Sequence, residues 1–389
     1  MGRTRVVQEV NILSQSFLWR ANSCVRLAIH LFLHDTRASA ALQKPPLLWL
    51  SELNFSIPAS RDLWLADTAV KWKEKYLSKR PSASLSIPRM IDAMHDTSLL
   101  DVLRDHIDTN LCSLAVLHGF WGQIWALQEA SRFYLSNQIS QSSATHQLLI
   151  TSQHRELYQD IQGFVTKISD LAKQPSGIII VVEFFMMTLH VSPDELQRFA
   201  GKSGEEEGAR AAMNLQKWIQ TADSRKAAWH AGQILRSAKS MPPAELRDFH
   251  AIAVYFASLT LWAYGLICGS NGVHEGDGQN QPSRSQEERD SSIQVSLDGP
   301  ETRETRVFLS LDQGLPGLNH PYTQGEVNFE PLSNPNMVLK IAREIYRNNF
   351  PALEEPLPPL VENLGNLMRD LGSLPGSRFS RSGSESLEK

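Results

Sequence analysis

After the Pro242-Pro243 break, Phe249, Ile252, Ala253, Phe256, Leu259, Thr260 and Leu261 recur at spacings of three and four, with small residues between them. That is the pattern of a helix buried on most of its circumference, and such a helix needs other elements around it. Upstream of the break, Trp229, Ile234, Leu235 and Ala238 also fall at helical spacing. The two segments read as a helical hairpin, interrupted where the prolines cannot continue a helix.

A chain of 389 residues is long enough for one large helical domain or two smaller ones, with a substantial core. Hydrophobic residues make up 42% and charged residues 21%, which excludes disorder as the overall state. The formal charge of −4 and pI near 6.3 leave no basic excess for neutralising phosphates, which argues against nucleic-acid binding by this chain alone. Cys24, Cys112 and Cys268 are isolated, with no pair at metal-ligand spacing, and suit a reducing compartment. The longest apolar run, Gly177 to Leu189, is too short to span a bilayer and contains Glu183, so no membrane association is expected. Met1-Gly2-Arg3-Thr4-Arg5 has no apolar stretch behind it, and no secretory signal is expected.

Residues 7–42 read as one long or kinked helix stopped by Pro45-Pro46, followed by a Ser-rich linker from Leu77 to Pro88 and a helix from Ile91. Leu111 to Leu135, with Trp121 and Trp125 on one face, and Thr145 to Lys173 are the next helices. Ile178 to Met187 is locally strand-like, with four β-branched residues and two phenylalanines. It is read as a helix, because no second strand candidate offers to pair with it. Ser192-Pro193-Asp194-Glu195 predicts a helix start with Ser192 as cap and Glu195 closing a capping box, and Gly201 predicts the stop. Gly269 to Ser292 reads as a disordered loop. Beyond it, helices are predicted over Glu301–Leu311, Pro335–Asn349 behind an Asn334 cap, and Pro358–Leu371, with a disordered Ser-rich tail.

Candidate chemistry is sparse. His30 and His34 lie one helical turn apart beside Asp35, but Leu31 stands where a His-Glu-x-x-His site needs its glutamate; two histidines at a helix edge is the plainer reading. Gly201-Lys202-Ser203 imitates the end of a phosphate-binding loop, yet Leu196 replaces the first glycine, and a helix stop explains it. Glu205-Glu206-Glu207 fan around a helix and read as a solvated first turn. Trp229, Tyr255, Trp262 and Tyr264 either line a ligand pocket or, as helical spacing favours, belong to the core. Arg3, Arg5, Lys79 and Arg80 are too scattered for a nuclear import signal. No nucleophile, base and orienting group can be assembled, so no catalytic, cofactor or metal site is expected and the chain is not read as an enzyme.

Several segments, in order, carry a family resemblance. They are Val25 to Asp35 with Ser39 to Leu42 and the Pro45-Pro46 turn, the Leu53 to Pro58 exit, Leu189 to Ser192 running into Leu196 to Lys202, Ala228 to Arg236, Leu246 to Gly265, Leu297 to Thr302, and Leu332 to Asn336. Over most of residues 20–375 the chain resembles the fungal-specific transcription factor domain, or middle homology region, in the form found in proteins with paired two-Cys two-His fingers.

The resemblance implies an all-α regulatory domain, a multi-helical array that works in the nucleus on RNA polymerase II transcription. It implies protein partners or self-association, room for a small-molecule effector, and DNA contact only through a zinc-finger module that this chain lacks, so that zinc belongs to that missing module. The expected layout is a truncated N-terminal part over 1–80, a helical body over 89–268, a disordered loop over 269–294, C-terminal helices over 295–375, and a disordered tail over 376–389. The family's upstream helices are also missing, so a fragment or a naturally shortened copy is expected. Their absence would expose a face formed by Phe17, Leu27, Leu31 and the 111–135 helix. The alternative is a stand-alone helical interaction protein without DNA binding.

Overall fold

The computed structural model describes residues 23–78, 88–136, 143–171, 176–274, 293–320, 328–351 and 356–373. The expectations for residues 7–22, for 79–87 of the linker, for 275–292 of the loop and for the tail lie outside them. The fold is all-α with one small sheet, and the chain divides into two compact units, residues 1–173 and 174–389.

The first unit begins with α1, residues 23–42, which ends at Gln43 (φ 52°), two residues before Pro45. A 3-10 turn (Leu50–Glu52) and four short helices follow: α2 (Arg61–Trp64), α3 (Ala69–Ser78), α4 (Met90–His95) and α5 (Ser98–Val102). Two long helices complete it, α6 (Thr109–Ser136) and α7 (Ser143–Leu171). Cys112, Val116, Leu117, Trp121 and Ile124 of α6 are buried, and Phe120 meets Phe164 of α7 edge-on with centroids 5.7 Å apart. The Trp121 indole donates to Ser39 Oγ at 2.8 Å and so pins α6 to α1. Arg26 and Asp108 form a buried ion pair at 2.9 Å, and Asp108 also accepts from Leu111 N at 3.2 Å, fixing the start of α6. The expected apolar face is therefore corrected in part: Leu27 and Leu31 are 61% and 55% exposed, whereas Leu111, Val116, Leu117, Trp121, Ile124 and Leu127 of α6 are buried and Phe133 near its end is exposed. Phe17 lies outside the described residues.

The second unit is built around α12 (Asp248–His274), which is packed by α8 (Ser176–His190), α9 (Pro193–Phe199) and α11 (Ala222–Lys239). The C-terminal helices α14 (Pro335–Asn349) and α15 (Pro359–Ser373) pack on it as well; α10 (Glu205–Trp218) packs on α9, and α13 (Arg303–Leu311) on α11. Enclosure explains the composition of α12. Its Asp248–Gly269 stretch is long and apolar enough to cross a membrane, yet 78% of its most apolar window is buried inside the molecule. The helix also runs on through Gly269 to His274, where the sequence reading ended it.

The turn between α11 and α12 is held from far along the chain. Asn349 at the end of α14 accepts from Leu246 N at 2.9 Å and donates to the carbonyls of Met241 and Pro242 at 3.2 and 2.9 Å. Tyr346 donates to Ala251 O at 2.6 Å. Asn334 makes no side-chain cap at the start of α14, contrary to expectation. Ser192 does cap α9, accepting from Glu195 N at 3.5 Å, but the Glu195 carboxylate takes Asn214 Nδ2 at 2.6 Å and does not close a capping box. Gly201 (φ 99°) ends α9 as predicted.

The strand-like run 178–187 is helix α8, as read. The premise that the chain lacks strands is corrected: β1 (Gln294–Ser296), β2 (Leu315–Asn319) and β3 (Phe329–Pro331) form a sheet in that order. β1 and β2 are parallel, with Val295 opposite Pro316; β2 and β3 are antiparallel, with Leu318 opposite Glu330.

Candidate functional site

Helices α8 and α11 make the most extensive helix–helix contact of the second unit, and two acid–imidazole pairs cross it. His190 Nδ1 lies 2.9 Å from Asp223 Oδ1, and His230 Nδ1 lies 2.6 Å from Glu183 Oε2. Glu183 and His190 are seven residues apart on α8, and Asp223 and His230 are seven apart on α11. Seven residues are close to two helical turns, so each helix presents both its groups on one face. Because the helices run antiparallel here, the acid of each meets the histidine of the other. The imidazoles stack between the two carboxylates with centroids 6.0 Å apart and planes 3° from parallel. The His190 side chain is fully buried, while Asp223 at the end of the row is half-exposed. Trp218 Nε1 donates to the His190 carbonyl at 2.8 Å and closes the end of the row.

The same α11 face carries a second polar group, one turn beyond His230. Gln233 Nε2 donates to the carbonyls of Leu297 and Gly299 at 2.7 and 2.9 Å, and Arg236 reaches Gly299 O at 3.2 Å. Lys239 pairs with buried Asp298, which also accepts from Asn319 N and Ser296 Oγ, joining α11 to strands β1 and β2. Gly232 makes this approach possible, since a Cβ there would collide with Leu297 O. Gly265 does the same on α12, where a Cβ would overlap the carbonyl of Leu332. Four of the separated motifs named for the second half of the chain thus pack on one another: Ala228–Arg236 on Leu297–Gly299, and the Leu246–Gly265 helix on Leu332.

Chemically, the acid–imidazole row ties α8 to α11 through two hydrogen bonds; its neighbours serve the backbone. The Ser224 hydroxyl donates to Ile219 O and Thr221 O at 3.0 and 2.8 Å, as a helix-start anchor does. Sequence reasoning singled out Trp229 but missed His190, Asp223, Glu183 and His230 as a set. Their signal was the matched spacing of seven on two adjacent predicted helices.

The residues weighed from the sequence lie elsewhere. His30 and His34 are exposed on α1, and Asp35 accepts from Leu47 N and Leu48 N at 2.9 Å, which makes it the clamp of the Pro-Pro turn. Lys202 donates to Gln197 Oε1 at 2.7 Å, beside the helix stop. Glu206 and Glu207 hold Arg210 at 2.7 and 2.9 Å in the first turn of α10. Trp262 and Tyr264 are buried, against Phe199 (5.4 Å) and Trp218 (6.4 Å), while Trp229 and Tyr255 are half-buried; burial raises the Tyr255 and Tyr264 phenols above their ordinary range. Arg3, Arg5, Lys79 and Arg80 lie outside the described residues.

Set against protein-family models, curated proteins and solved structures, the chain matches none.

Proposed function

We propose that the chain is the transcription-regulatory region of a fungal zinc-finger transcription factor, acting in the nucleus through protein contacts and reaching DNA only through a separate zinc-finger module. The observation that carries this reading is the mutual packing of the motifs on which the resemblance rests. Gly232, Gln233 and Arg236 meet Leu297 and Gly299, and Gly265 meets Leu332. Residues quoted for a family pattern are thereby accounted for as one interlocked helical body, with polar groups spent on holding elements together. That is the composition of a regulatory or interaction domain.

The test is to tether the full chain to an unrelated DNA-binding domain and measure a reporter in a fungal nucleus. Reporter output is expected to change, in either direction, and to return to baseline with Gly232→Leu. Output equal to that of the DNA-binding domain alone, at matched nuclear levels, would sink the transcriptional reading. It would favour the stand-alone interaction protein, for which the exposed Leu27, Leu31 and Leu47 are the supporting feature.

A further inference from the structure

A cavity of about 150 Å³ lies between α14 and α15. Arg343 and Arg347 line it from α14, one turn apart; Asn366 and Arg369 line it from α15. Spacings of four and three keep each pair on one helix face, so three guanidiniums converge from two walls. Burial, and then the charges of Arg369 and Arg347, lower the Arg343 guanidinium below its ordinary value. An arginine does not give up its proton under such pressure, so the crowding is relieved by an anion and not by deprotonation.

Several other arginines are matched with acids: Arg26 with Asp108, Arg132 with Glu129, Arg210 with Glu206 and Glu207. Among the described residues, Arg343, Arg347 and Arg369 have no ion pair and no side-chain hydrogen bond. The nearby carboxylates do not fill the place. Glu344 pairs with His320 at 3.4 Å, and Glu362 lines the cavity without pairing with any of the three. Gly365 leaves the α15 side open, since a Cβ added there would meet nothing within 4 Å.

We propose that this cavity binds the phosphate group of a small soluble phosphomonoester, gripped by Arg343, Arg347 and Arg369, with Asn366 as an amide donor and Leu357 receiving the apolar remainder. The planar fork of each guanidinium matches paired phosphate oxygens. Three cations less the Glu362 carboxylate leave a surplus that a dianion neutralises, and a phosphomonoester carries about −1.5 to −2 charge at pH 7. The cavity is smaller than the ~300 Å³ at which drug-sized sites begin, which selects a compact ligand.

The experiment is calorimetric titration of the full chain, at constant ionic strength, with inorganic phosphate, phenyl phosphate and succinate, alongside flotation with phosphatidylcholine vesicles doped with phosphatidic acid. Both phosphates are expected to bind saturably, and more weakly below about pH 6, where the second phosphate proton returns. Arg343→Gln and Arg369→Gln should each weaken binding on the order of tenfold or more. Gly365→Leu, which fills the open side and keeps every charge, should do the same with helicity intact. Lys340→Gln, exposed on α14 but outside the cavity, should change nothing. Arg369 is exposed, so its variant reports even if Gly365→Leu fails to fold. Absence of saturable binding by either phosphate, undiminished binding in the arginine variants, equal affinity for succinate, or binding to the doped vesicles alone would each overturn the proposal.

Discussion

His190 and His230 lie face to face, 6.0 Å between centroids, and each is bonded through Nδ1 to a carboxylate from the opposite helix. The row is a polar seam in a largely buried helix contact, so removing one member strands its partner. His230→Ala is expected to destabilise the fold by about 1–3 kcal/mol, the cost of leaving a largely buried hydrogen-bonding group unmatched. In a double-mutant cycle with Glu183→Gln the coupling should be on the order of 1 kcal/mol. Urea unfolding of the four proteins measures it, and a coupling of zero would mean that the pair adds no specific interaction.

Gly232 and Gly265 stand where two backbones touch. Alanine at either position pushes a Cβ into a carbonyl that belongs to another element, so each substitution should cost about 3 kcal/mol or more by overpacking. Gly122 and Gly163 are the controls. They lie inside α6 and α7 with nothing within 4 Å of an added Cβ, and alanine there should stabilise by up to about 1 kcal/mol through helix propensity. Thermal denaturation separates the two classes; similar shifts in all four would refute the close approaches.

Thiol labelling should be strongly uneven. Cys112 is buried in α6, and burial first, then Asp108, raises its thiol well above the usual range, so it should react only after unfolding. Cys268 is exposed at the surface, yet desolvation, with Asp312 adding to it, pushes its thiol up to about 11, so its reaction should be slow near neutrality. Mass spectrometry after a short alkylation pulse should find Cys24 labelled first, and rapid labelling of Cys112 in the folded protein would contradict the packing of α6.

Alkaline pH should act through buried phenols. Burial raises Tyr346 and Tyr264 above the ordinary value of 10.0, so both are neutral in the fold while the unfolded chain ionises near that value. Their contribution to stability is therefore complete below pH 10 and declines as pH rises beyond it. Phenolate absorbance for these two should appear together with loss of helicity. Full ionisation of every tyrosine in a chain that keeps its helical signal would show that they are open to solvent.

Periodicity was enough to place α12, α6 and α14, because each repeats apolar residues every three or four positions over many turns. Ser192-Pro193 and Gly201 marked α9 through local chemistry. The sheet was not legible: its strands are three to five residues long and contain Pro316, Gly317 and Pro331, residues that strands ordinarily avoid. Nor was the role of Asn349, whose partner Leu246 N is 103 residues away, since no local signal announces a distant hydrogen bond. The acid–imidazole row falls between these cases. Each helix shows its half at a spacing of seven, but only packing reveals that the halves are complementary.

The order in which the chain is made sets a consequence for α12. Its enclosure is finished by α14 and α15, which begin at Pro335 and Pro359, whereas α12 ends at His274. On a ribosome, this long apolar helix therefore emerges well before the segments that cover its last open side. Throughout that interval it presents to chaperones, and to the machinery that recognises membrane-bound segments, a stretch that the finished fold keeps hidden.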